Sequence, residues 1–188
     1  MNTKLVLLGG ILMFSTIILN NKVNAKAQVT AQKLINAPVE AVFASWNDEF
    51  GDVYKYHPAL KYSFLLDDSK VSSGKGAKRQ CNMKDGKNWV QEEIVDFEEN
   101  KLIVISVYKG TTPMKYVLAT INFHEEAQNQ TGIKIKMEFE PKMGILGQLM
   151  IPLMKMQFQS MLNDLLKANA AYIKNGTLVN EVRTPLTK

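Results

Sequence analysis

The feature that most constrains this chain is a single change of hydrophobic period. Over residues 61–139 apolar side chains recur at every second position, in short runs broken by turn residues. Over residues 152–175 the spacing widens to three and four. Period two sends alternate side chains to opposite faces of a strand, whereas the wider spacing collects them on one face of a helix. Such a chain must lay one long helix against one antiparallel sheet. A sheet with one apolar face needs a cover, and no other segment is large enough to supply it.

The individual runs give the expected order. Residues 28–35 suit a first strand, which Asn36-Ala37-Pro38 ends. Pro38 opens a helix whose apolar face is Val39, Val42, Phe43 and Trp46. The aromatic, turn-rich stretch 47–58 reads as a second short helix. Tyr62, Phe64 and Leu66 then alternate as one strand face. Residues 77–83 and 89–97 flank Asp85-Gly86, a strong hairpin signal. Strands over 102–108, 114–123 and 133–139 follow. In the last, Ile133, Ile135, Met137 and Phe139 face one way, and Lys134, Lys136, Glu138 and Glu140 the other. The final helix carries Met154, Phe158, Met161, Leu165, Ala168 and Tyr172 on one face and stops at Gly176. The fold class is therefore α+β: one strand, two short helices, about six more antiparallel strands and a long C-terminal helix. A curved sheet gripping one helix leaves room between them for a ligand cavity.

Residues 1–25 read differently, as a signal peptide. Lys4 precedes an apolar core over residues 5–19, and Val23-Asn24-Ala25-Lys26-Ala27 supplies small residues for cleavage near Ala25 or Ala27. The core is shorter than the roughly 20 apolar residues that span a bilayer. The expected product is exported, periplasmic or secreted, with one domain over residues 28–176 and a flexible tail over 177–188. Lys4 and Lys22 leave with the signal, so the formal charge falls from +5 to +3 and is spread along the chain. Nucleic-acid binding, which leaves a clustered basic patch, is not expected. Cys81 is the only cysteine, so no internal disulfide forms and the fold must rest on core packing. Cys81, His57 and His124 match no metal-ligand spacing, and neither a metal nor a cofactor is expected.

If Asp85-Gly86 are the two central residues of the hairpin, Arg79 faces Glu92, Cys81 faces Val90 and Met83 faces Asn88. The strand face with Arg79 holds Ala77, Cys81 and Met83, while Lys78, Gln80, Asn82 and Lys84 lie opposite. Glu92 sits between Val90 and Ile94. Arg79 and Glu92 thus form a charged pair on an apolar face. They either orient a polar ligand group inside the cavity or fix register at its rim. His57, within Tyr54-Lys55-Tyr56-His57-Pro58, is a candidate acid or base and a candidate pocket-lining residue. Cys81 faces inward as core rather than nucleophile. With Tyr54, Tyr56, Ile94, Ile135, Met137, Met154 and Phe158, these residues form the expected ligand-binding set. The apolar segment over residues 143–151 opens with Met143-Gly144-Ile145-Leu146-Gly147, which is expected to be flexible. It is a candidate gate for a greasy ligand, or a candidate surface for transient membrane or protein contact.

The order and spacing of several short pieces resemble the START-like (SRPBCC) superfamily, in its polyketide cyclase/dehydratase-like branch. The pieces are Ile35-Asn36-Ala37-Pro38-Val39-Glu40-Ala41-Val42-Phe43, Tyr56-His57-Pro58, Gly74-Lys75-Gly76-Ala77-Lys78-Arg79, Asp85-Gly86, Glu92, Pro113-Met114-Lys115-Tyr116-Val117 and Phe139-Glu140-Pro141. The resemblance covers about Thr30 to Asn175. It implies the helix-grip fold around a deep cavity and a hydrophobic ligand such as a lipid or polyketide. It transfers no catalytic residue. Tyr56 stands where relatives often carry Trp. The expected function is an exported binding protein for a hydrophobic small molecule. The alternatives are a cyclase- or dehydratase-like enzyme using Arg79, Glu92 or His57, and a protein-interaction domain.

Overall fold

A computed structural model describes residues 26–142 and 144–180. The signal-peptide reading falls on residues 1–25, outside the described residues. Strand β1 (Ala27–Ile35) leads into helix α1 (Val39–Asn47) and a short 3-10 helix (Phe50–Lys55). Six strands follow: β2 (Leu60–Leu65), β3 (Lys78–Met83), β4 (Trp89–Glu98), β5 (Leu102–Gly110), β6 (Met114–Ala127) and β7 (Gln130–Pro141). Helix α2 (Gly144–Asn175) closes the fold. The strands form one antiparallel sheet in the order β1-β7-β6-β5-β4-β3-β2. From β2 to β7 it is a simple meander, with β1 added along β7.

The β3–β4 hairpin has the expected register, with Arg79 opposite Glu92 and Cys81 opposite Val90. Its turn is longer than two residues. The amide of Met83 donates to Asn88 O at 2.8 Å, and the Asp85 carboxylate accepts from the amides of Lys87 (2.9 Å) and Asn88 (2.8 Å). Loops of two and four residues about the same centre share one register, so the pairing does not depend on which forms. Register shifts between Gln91 and Glu92 and between Ile94 and Asp96 mark irregularities in the β4–β5 pairing. Bulges of this kind bend a sheet and increase its twist.

Two expectations need correction. In β2 a register shift between Leu60 and Tyr62 changes which residues face the core. Phe64 is 42% exposed, whereas Ser63 is buried. Ser63 Oγ donates to Gly51 O at 2.7 Å and accepts from the Tyr54 amide at 3.2 Å. Phe64, the exposed member of the Tyr62, Phe64 and Leu66 run, stacks its ring on Tyr62, which itself packs against the core. Second, α2 begins at Gly144 rather than Pro152. Residues 144–151 are helical, and Pro152 sits on the exposed side of the helix. Proline in a helix interior forgoes one backbone bond, which the remaining turns outweigh.

Helix α2 lies across the concave face of the sheet. Its deepest residues are Leu162, Leu165, Leu166 and Asn169. Asn169 is wholly buried and joins α2 to α1: Trp46 Nε1 donates to Asn169 Oδ1 at 3.1 Å, and Asn169 Nδ2 donates to Ser45 Oγ at 3.0 Å. Tyr172 Oη donates to Glu49 Oε2 at 2.6 Å. The chain beyond α2 is tied down as well. The Val179 amide donates to Lys55 O at 2.9 Å, and Asn180 Nδ2 donates to Tyr54 O and His57 O. Val179 and Asn180 thus dock beside the 3-10 helix, and the rest of the expected tail, residues 181–188, lies outside the described residues. Because an unpartnered buried donor costs about 1–3 kcal/mol, Asn169→Ala should lower unfolding free energy by about 2 kcal/mol. Urea unfolding with an unchanged m-value is the check.

Candidate functional site

A partly open cavity of about 150 Å³ lies between the sheet and α2. Its wall is mostly apolar: Leu60, Met83, Val90, Val107, Met114, Val117 and Met137 from the sheet side, and Phe158 and Met161 from α2. The polar lining comes from His57, Arg79, Cys81, Glu92 and Thr112. Phe158 and Met161 are only half-buried because they border this space, whereas Leu162 and Leu166 behind them are sealed. The Phe158 ring meets Phe139 edge-on at 4.8 Å in this wall.

The hairpin register brings the charged pair into this room. Arg79 is 5% exposed. Its Nε donates to Glu92 Oε2 at 2.6 Å, and its Nη1 donates to Phe50 O at 3.0 Å. The guanidinium lies 4.1 Å from the centre of the Phe50 ring. Burial opposes the charge on Arg79, but the Glu92 carboxylate outweighs it and raises the pKa, so Arg79 stays cationic. A charge buried alone here would be very costly; a well-bonded pair is tolerated. The pair lines the cavity rather than only fixing register at a rim.

Cys81 donates weakly to Glu92 Oε2 at 3.5 Å. Burial and then the Glu92 carboxylate push its thiol pKa well up, so the reactive thiolate is suppressed. His57 is lowered to about 4, first by burial and then by the Arg79 guanidinium. Its Nδ1 accepts from the Ala59 amide at 3.3 Å. In the neutral ring the proton therefore sits on Nε2. The resulting site is neutral overall: an internal ion pair, a neutral imidazole and a protonated thiol.

Six residues of the expected ligand set line the cavity: His57, Arg79, Cys81, Glu92, Met137 and Phe158. Five do not. Tyr56 is fully buried, with its hydroxyl on Ser45 O at 2.6 Å and its ring between Trp46 and Tyr172. Tyr54 is buried beneath the tail. Ile94 and Ile135 are sealed in the core, and Met154 packs against the core without reaching the cavity wall. Among the lining residues that sequence reasoning missed, Met83 and Val90 share the Arg79–Glu92 face and were within reach of the register argument. Met161 shares the helix face of Phe158 and was within reach of the helical spacing, whereas Val107, Thr112 and Met114 carried no such signal. The first turns of α2 leave Ile145, Leu146, Leu149, Met150 and Met156 exposed.

Residues 26–174 match the family model described as polyketide cyclase / dehydrase and lipid transport, and the chain belongs to that family. A comparison with curated proteins finds no match. Among solved structures, a START superfamily protein from Mycobacterium smegmatis is 15% identical with a TM-score of 0.65, covering 79% of this chain and 97% of its own. Ginseng major latex-like protein 151 from Panax ginseng is 14% identical at 0.61, covering 79% and 98%. Truncated norcoclaurine synthase from Thalictrum flavum is 12% identical at 0.58, covering 79% and 93%. At these identities the likeness is one of fold, the START-like helix grip.

The lowered His57 pKa makes a stability prediction. A histidine held neutral when folded stabilises fully above its ordinary pKa of about 6.5. As pH falls from there toward about 4, the unfolded chain binds the proton and the folded chain does not. That difference is worth at most about 1.4 kcal/mol per pH unit. His57→Gln should flatten this part of the profile, as read from urea midpoints between pH 4 and 7.

Proposed function

We propose that this domain is an exported binding protein that holds one small hydrophobic molecule between the sheet and α2. The observation that carries the reading is the partly open, largely apolar cavity of about 150 Å³ with a bonded charge pair in its wall. An engineered apolar cavity of similar volume binds benzene. The family description, which includes lipid transport, supports a hydrophobic ligand. Binding is favoured over turnover by the state of the polar groups. His57 is held neutral, the Cys81 thiolate is suppressed, and Glu92 is bonded to Arg79.

Magnitudes bound the affinity. Burying about 150 Å² of an aromatic ring contributes about 4 kcal/mol. Before any polar contact, that corresponds to a dissociation constant near about 1 mM. Native mass spectrometry of the protein mixed with millimolar ethylbenzene should show a single small apolar adduct. Val117→Phe, which pushes a ring into the wall, should cut its retention at least tenfold with little change in urea midpoint. An adduct that Val117→Phe leaves unchanged would place the ligand elsewhere.

Export is part of the same proposal. The family match begins at residue 26, next to the small residues Ala25 and Ala27. Protein recovered from fractionated cells should start at Lys26 or Gln28 by mass and N-terminal sequencing. An intact Met1 in the cytosolic fraction would overturn it.

A further inference from the structure

We infer that two copies of this chain pair through the first half of α2, helix against antiparallel helix across a two-fold axis. The contact lies outside the cavity and stands whether or not a ligand binds there.

On its inner side the first half of α2 packs Gly147, Ile151, Met154 and Phe158 onto the domain. On the other side Ile145, Leu146, Leu149, Met150, Leu153 and Met156 are 42–78% exposed. The domain's own core does not account for them. Leu146, Leu149, Leu153 and Met156 step by three, four and three, the spacing of a seam between two helices. Ile145 and Met150 flank that seam. The same track then turns polar, with Ser160, Asn163 and Lys167 all exposed. The apolar face is therefore confined to the half of the helix that the core holds least. Its uncovered surface is on the order of 700 Å², larger than the roughly 300–600 Å² of the largest patch on a typical monomer.

Area and chemistry favour a second copy over a bilayer. Two such faces supply about 1,400 Å², within the range of roughly 1,200–2,000 Å² that stable interfaces bury. A helix that lies on a membrane carries a polar face rich in Lys and Arg, with aromatic anchors at the interface. Over residues 144–163 the only charged residue is Lys155, and the exposed apolar side chains include no aromatic. Aliphatic and thioether side chains at every seam position suit helix-to-helix packing instead. Direction follows from where the polarity begins. In a parallel pair the seam runs on into Ser160, Asn163 and Lys167, with Lys167 beside the partner's Lys167. In an antiparallel pair centred beside Ile151, Leu146 meets the partner's Met156 and Leu149 meets the partner's Leu153. Every seam residue then has an apolar neighbour, and the polar halves point apart. Opposed helix dipoles favour the same direction. The arrangement is isologous, one patch used twice.

Sedimentation velocity of the full chain, from about 1 to 100 μM, should show a monomer–dimer equilibrium. Leu149→Glu, which sets a charge in the seam, should weaken it at least tenfold while leaving the urea midpoint unchanged, and Leu146→Glu should do the same. A nitroxide on Lys167→Cys reads the direction by dipolar spectroscopy, since Cys81 is buried and escapes the label. At about 1.5 Å per residue, antiparallel pairing sets the two labels about 50 Å apart along the axis, whereas parallel pairing holds them within about 20 Å. A monomer throughout this range overturns the inference. So does association that Leu149→Glu leaves intact, which would assign it to residues 1–25 or to another surface. Labels at the short distance overturn the antiparallel pairing. A monomer that binds anionic vesicles, and loses them in Leu149→Glu, gives the face to a membrane and overturns the second copy.

Discussion

Helix α2 is held to the rest of the fold mainly through its second half. Leu162, Leu165 and Leu166 are sealed against the core, and Asn169 ties the helix to Trp46 and Ser45. Tyr172 adds a bond to Glu49. Toward the other end the packing thins: Met154, Phe158 and Met161 are half-buried, and Ile145, Leu146, Leu149 and Met150 are exposed. The cavity follows from this asymmetry. A helix sealed along its whole length would leave no space above β3, β4 and β7, and a helix without the polar anchor could slide to fill it. With no disulfide available, these contacts carry the positioning.

The Arg79–Glu92 pair depends on the same frame. The pair needs the sheet to hold the two residues opposite one another, and it needs the 3-10 helix to bring Phe50 against the guanidinium. Once bonded, it makes the cavity polar at one place and neutral overall. It also governs its neighbours. The guanidinium helps keep His57 neutral, and the carboxylate helps keep the Cys81 thiol protonated. The chemistry of the room is therefore set by one ion pair and its burial.

Much of this was legible in the sequence where the signal was periodic or arithmetic. The strand order, the long helix and the Arg79–Glu92 juxtaposition follow from alternation and from the centre of one hairpin. The failures share a cause. Periodicity shows that one face is apolar but not which side it will take, so a bulge in β2 turned Phe64 out and Ser63 in. Pro152 reads locally as a helix start, yet the helix continues through it. Asn169 looks like an ordinary polar helix residue until Trp46 arrives from 123 positions away. Tyr56, Ile94 and Ile135 were correctly apolar and inward, but whether an inward residue lines a void or fills the core depends on what packs opposite.

Size narrows what such a site can hold. Pockets for drug-sized ligands run from about 300 to 1,000 Å³, and this one encloses about 150 Å³. A molecule longer than one ring would have to project through the open side or displace part of the wall. The sheet side is braced by its hydrogen-bond ladder. The thinly packed half of α2 is the weaker wall, since moving it uncovers half-buried Met154, Phe158 and Met161 but leaves Asn169 bonded. The ligand size that the domain accepts is thus tied to how far α2 is anchored, and alongside the cavity that anchor thins to the Phe139–Phe158 contact and the Gln159–Thr30 bond.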